Sequence, residues 1–236
     1  VGSEMCIRDS FLGLEIRPFP HWRLSGYLDA YSFPWLTSLV SAPSSGYDYH
    51  LQAEYASPDQ FKAYLRFRHK AKPSDNALEN VISSTIDMVR KSSFRFHIAY
   101  PVVVGLSFQN RLEISHYKKG AGDGEYGYLA YHDIIYKPPS FPLSFSFRYS
   151  MFDTESYFSR IYNYEHDVLY AFAIPSFHGR GIRTYLNARW DIGRHIDLWF
   201  KYALTSYRDR ETISSGLNEI EGNKKSDLRV QLRLKF

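Results

Sequence analysis

Ser226-Asp227-Leu228-Arg229-Val230-Gln231-Leu232-Arg233-Leu234-Lys235-Phe236 alternates to its last residue, apolar at every even position from Leu228 and polar or charged at every odd one. A helix would space its apolar residues three or four apart, so a period of two over this length predicts an extended strand with two unlike faces. One face is Leu, Val and Phe and the other carries Arg and Lys. That is the lipid-out, polar-in pattern of a transmembrane barrel strand.

Working back from this strand, the same alternation recurs along the chain. Leu143, Phe145, Phe147, Tyr149 and Met151 alternate with Ser144, Ser146, Arg148 and Ser150, and Leu12, Leu14 and Ile16 with Glu15 and Arg17. Strands are predicted near 11 to 17, 22 to 30, 48 to 57, 60 to 70, 92 to 100, 102 to 117, 125 to 137, 142 to 152, 182 to 192, 195 to 208 and 227 to 236. Short Pro- or Gly-marked turns near 18 to 21, 57 to 59, 100 to 101, 137 to 140 and 193 to 195 alternate with longer links near 34 to 47, 72 to 91, 118 to 124 and 209 to 226. Barrels of the outer-membrane type pair short turns at one rim with long loops at the other. Keeping that parity makes roughly 154 to 181 one outer excursion, a long loop at the outer rim, rather than a segment with a spanning strand at 161 to 174. The expectation is therefore an all-β antiparallel meander of eleven strands, twelve if 161 to 174 spans, forming the C-terminal part of a barrel. Such barrels close with an even number, so eleven strands predict that further strands lie upstream. Leu78, Val81, Ile82, Ile86 and Val89 fall near helical spacing, and 72 to 91 is either a packed loop or holds one short helix.

Composition agrees with sheet. The chain carries 20 Tyr, 17 Phe and 4 Trp, residues favoured in strands and at membrane interfaces. No run of 18 apolar residues occurs, so a transmembrane helix is not expected, whereas barrel strands cross with about ten residues. A net charge of +4 spread along the sequence gives no localised nucleic-acid patch.

The first ten residues, Val1-Gly2-Ser3-Glu4-Met5-Cys6-Ile7-Arg8-Asp9-Ser10, show neither hydrophobic period nor signal-peptide core. Residues 4 to 10 resemble the translated end of a transposase-type sequencing adapter. The expectation is a non-native segment at 1 to 10 and a partial barrel domain over 11 to 236. The single cysteine, Cys6, lies in that decapeptide, so neither a disulfide nor a cysteine metal site is expected beyond it.

Two groups of residues are candidates for function. Arg66, Arg68, Arg95, Arg111 and Arg148 share the polar phase with Arg189, Lys201, Arg229 and Arg233, and would line a lumen. A one-sign ring can select anions, but the same residues can instead pair across strands with Asp48, Glu54, Glu113 and Asp197. The second group lies in the 154 to 181 excursion, where Arg160, Tyr162, Tyr164, Glu165 and Asp167 offer stacking surface and orienting charge for a ligand. Glu165, His166 and Asp167 are adjacent, and alternate side chains of an extended segment point apart, so no catalytic or metal reading is adopted. No cofactor signature is present: Gly120 to Gly124 lacks the helix a phosphate cradle needs.

The aromatic Phe236 closing the last strand resembles the C-terminal assembly signal of bacterial outer-membrane barrels. Ala42 to Tyr49, Asp133 to Tyr136, Ser159 to Tyr162 with Asp167 to Phe172, and Arg210 to Leu217 through Glu221 to Asn223 together resemble the barrel region of Gram-negative helix-hairpin-helix envelope proteins. That resemblance implies location in the outer membrane, with lipid and the barrel assembly machinery as partners. It also implies a role in transport, reception or envelope assembly rather than catalysis. An anionic solute or nucleic acid would be a partner of the full-length protein, because the helix-hairpin-helix element itself lies outside this sequence. An outer-membrane hydrolase with a loop-borne site, or a soluble ligand-binding β-barrel, are the alternatives.

Overall fold

A computed structural model describes residues 8–37, 40–76 and 85–235. Eleven long strands form one antiparallel sheet: β1 (Arg8–Ile16), β2 (Trp22–Phe33), β3 (Ser44–Ala56), β4 (Lys62–Asn76), β5 (Thr85–Val103), β6 (Leu106–Lys119), β7 (Glu125–Tyr136), β8 (Leu143–Thr154), β11 (Arg180–Ile192), β12 (Ile196–Tyr207) and β15 (Lys224–Leu234). Between β8 and β11 lie the two-residue strands β9 (Ile161–Tyr162) and β10 (Ser176–Phe177), paired as a small hairpin. Between β12 and β15, β13 (Thr212–Ile213) pairs with β14 (Ile220–Glu221). Each long strand neighbours the next in sequence, and the sheet is not closed, with β1 and β15 as its edges.

The predicted strands are all present, most of them longer than the alternation alone marks. Residues 161 to 174 do not join the sheet: β8 pairs directly with β11 from Leu143↔Trp190 to Asp153↔Arg180. Two local expectations are corrected. The turn expected at Tyr100 to Pro101 lies at Val104 and Gly105, because Gly105 takes φ 83 and lets the chain reverse in two residues. Pro101 instead pairs with Ser107 beside a register shift, a strand-end position where a missing N–H is tolerated. Ile86 and Val89 belong to β5, where cross-strand pairing with Asp75 and Lys72 overrides their helical spacing. Residues 77 to 84, with the rest of that expected helix, fall outside the described residues, as do Val1 to Ile7 and Phe236. Arg8, Asp9 and Ser10 form the first turnless stretch of β1, opposite Ser32, Tyr31 and Ala30.

The two faces of the sheet differ as the alternation requires. Leu228, Val230, Leu232 and Leu234 are each more than half exposed, and so are Leu51, Leu112 and Met151 on the same face. At the short-turn end this face carries aromatic rings, among them Trp22 and Tyr55, whose centroids are 5.4 Å apart. At the opposite end stand Tyr47 and Tyr49, stacked at 6.3 Å, and Tyr126 with Tyr128. The other face holds the buried polar groups: Asp133 at 0%, Asp197 at 1% and Arg148 and Lys201 at 2% exposure. A cluster of buried apolar side chains there, Leu129, Phe152, Ile161, Phe177, Tyr207 and Ile213, lies where the two small hairpins meet the sheet.

Candidate functional site

Polar-phase side chains from neighbouring strands stand about 5 Å apart, close enough for a long cation to meet a carboxylate across the ladder. They do so along the whole sheet. Arg68 forks onto Asp48, with Nη2 at 2.6 Å and Nε at 3.0 Å, and Arg95 forks onto Glu113 at 2.7 and 2.9 Å. Arg233 and Lys235 share Asp197. Arg148 and Asp133 form a deeply buried pair, and the Arg148 guanidinium also lies 3.8 Å from the centre of the Tyr131 ring. Arg189 bonds Asp191 near the short-turn end and stands 5.3 Å from the Trp199 ring. Arg66 donates to Gln52 rather than to a carboxylate. The nine predicted face residues therefore do lie on one face, but most of their charge is paired.

The segment from Ser156 to Gly179 is a strap lying across this face. Its stem is pinned by apolar contact of Ile161 and Phe177 with Leu129, Phe152 and Tyr207 on the polar face of β7, β8 and β12. Polar anchors follow in chain order. Ser115 donates to the Ser159 carbonyl, and Lys91 to the carbonyls of Phe158 and Arg160. Arg111 Nη1 donates to Asn163 Oδ1 at 2.6 Å and its Nη2 to the Tyr64 hydroxyl at 3.2 Å. Arg148 Nη1 donates to the Tyr164 carbonyl at 2.6 Å, and the His166 N–H donates to the Tyr185 hydroxyl.

The tip of the strap delivers two carboxylates to three cations. Arg183 forks onto Glu165 at 2.7 and 2.9 Å; Lys201 lies 3.4 Å from Glu165 and 3.2 Å from Asp167; Arg229 reaches Asp167 at 2.6 Å and also pairs with Asp227. Neither Glu165 nor Asp167 exposes its side chain. Extended geometry turns both toward Lys201 while His166, between them, packs its ring against Tyr164 at 5.7 Å. Burial pushes the His166 imidazole below its ordinary pKa, helped by Arg148, Lys137 and Lys201 and opposed by Asp133.

The five loop candidates thus divide. Glu165 and Asp167 are consumed by the face beneath them, whereas Arg160 and Tyr162 stay at the surface, bonded to each other at 2.7 Å, and Tyr164 is 44% exposed. Sequence reasoning named Arg111, Arg148, Lys201 and Arg229 but not Lys91, Asn163, Tyr64 and Tyr185, which also seat the strap. Their signal was available: both tyrosines fall in the same strand phase as the arginines. Comparisons with protein-family models, curated proteins and solved structures found no match to this chain.

Proposed function

We propose that this sheet is wall of an outer-membrane β-barrel, belonging to a protein of transport, reception or envelope assembly, with the 156 to 179 strap lying inside. The observation that carries the reading is inverted polarity: charged pairs are buried on one face while the other exposes Leu, Val, Ile and Met between rows of aromatic rings. Eleven strands about 4.8 Å apart with an apolar band about 25 Å tall present on the order of 1,000 Å² of apolar surface, where soluble monomers rarely exceed a few hundred. In water such a face would aggregate; in lipid it is the required surface, and interfacial aromatic rows are its usual border. The similarity to helix-hairpin-helix envelope proteins is consistent with the same location and adds a proposed relationship, not a mechanism.

The test is assembly of the full chain with phospholipid vesicles. Sheet formation dependent on detergent or lipid, gel migration that changes on boiling, and ion conductance across a bilayer are the expected results. A monodisperse, folded species in plain buffer would sink the membrane reading. Folding into vesicles without conductance would favour reception or assembly over transport.

A further inference from the structure

Beside the ion-pair network, a cavity of about 380 Å³ opens between the descending limb of the strap and strands β11, β12 and β15. That volume falls at the small end of ligand sites. Four cations line it: Arg183, Lys201, Lys225 and Arg229. Three carboxylates answer them, Glu165 and Asp167 from the strap and Asp227 from β15, and all three are engaged by Arg183, Lys201 and Arg229. Lys225 has no carboxylate within ion-pair distance among the described residues, so one positive charge is left over. His178 also borders the cavity, but burial and the neighbouring Arg210 hold its pKa below the ordinary histidine value, so it adds no charge at neutral pH.

Apolar side chains of the strap line the same cavity, Phe172 with its ring 5.5 Å from that of Tyr164. Phe172 is 74% exposed and Ile174 46% exposed on the strap, although the face around them is polar. An unpaired ammonium in one cavity with partly exposed apolar side chains selects a ligand with both characters, because burying apolar area and pairing one charge are separately favourable there. We propose that this cavity binds a small organic anion with one carboxylate head, held by Lys225, and an aromatic or aliphatic body laid against Phe172 and Ile174. The site is built by the strap with side chains of β8, β11, β12 and β15, and so stands whether or not the sheet lies in a bilayer.

The probe is para-fluorobenzoate, titrated against the full chain folded in an uncharged detergent and followed by fluorine NMR, with sheet content checked by circular dichroism. Saturable binding is expected, with acetate and para-fluorobenzylamine failing to compete because each lacks one half of the recognised chemistry. Lys225→Glu and Phe172→Ser change exposed side chains and leave the sheet intact. Each should weaken binding by about tenfold or more, the loss of one charge-assisted contact or one apolar wall. Absence of saturable binding to the unaltered chain, competition by the amine, or affinity that withstands either substitution overturns the proposal.

Discussion

Arg148 and Asp133 face each other across β7 and β8 with side-chain exposures of 3% and 0%, joined by two parallel bonds of 2.5 and 2.6 Å. The pair does more than close itself, because the third arm of the same guanidinium holds the Tyr164 carbonyl of the strap. Removing one member of a buried pair leaves an uncompensated charge, at a cost of about 3 to 5 kcal/mol. Asp133→Asn should therefore lower the urea midpoint sharply and expose the strap to protease. Asp133→Leu combined with Arg148→Met removes both charges and should recover much of the stability while leaving the strap loose. Full protection of the strap in that double variant would show that Arg148 is not its anchor.

Leu232 and Gln231 are adjacent on β15 and point to opposite faces, Leu232 being 58% exposed on the apolar one. If that face meets lipid, Leu232→Arg costs about 2 to 4 kcal/mol near the bilayer midplane, whereas Gln231→Arg costs far less on the polar side. Folding yields into vesicles should separate the two variants clearly. Equal yields would mean the apolar face does not contact hydrocarbon.

What could be read from the chain beforehand follows the range of the interactions involved. Strand positions and faces are written in adjacent residues, so Leu143 to Met151 and Leu228 to Leu234 were legible at once. Turn positions were less so: Pro101 is a strong local breaker, yet Gly105 four residues on makes the tighter reversal. The resting place of the strap was not legible, since it depends on pairings such as Lys91 with Phe158 and Arg229 with Asp167, far apart in sequence. Parity favoured a loop over a twelfth strand and placed it at the outer rim; the excursion instead lies across the polar face, because Glu165 and Asp167 find their cations there. The same limit applies to the candidate residues: their chemistry was visible, but not that Glu165 and Asp167 would be spent on Arg183, Lys201 and Arg229.

Replacing residues 156 to 178 with a short Gly-Ser linker tests how far the sheet depends on the strap. The β8 to β11 ladder is complete without it, so the sheet should still assemble. Arg183 and Lys201, however, lose the carboxylates that neutralise them, and Arg229 keeps only Asp227. The shortened chain should be less stable at low salt and regain part of the loss as salt screens the exposed cations over about 10 Å at ~0.1 M. Salt-independent stability would show that the strap's contribution is apolar, through Ile161 and Phe177.

The strap should also loosen in acid. Burial lowers the pKa of His166, and burial with Arg210 that of His178, so the seated strap prefers both imidazoles neutral. A histidine with a depressed pKa binds fewer protons when seated than when free. Its contribution is therefore complete above the ordinary value of about 6.5 and declines as pH falls from there toward the depressed value. A spin label at Tyr170→Cys, with Cys6 replaced by serine, reports the 88% exposed tip of the strap. Its mobility should be low and constant above about pH 7 and rise as the pH falls through about 6. His166→Gln with His178→Gln should flatten that profile, since neither glutamine takes up a proton. A label whose mobility rises identically in the double variant would show that neither histidine drives the loosening.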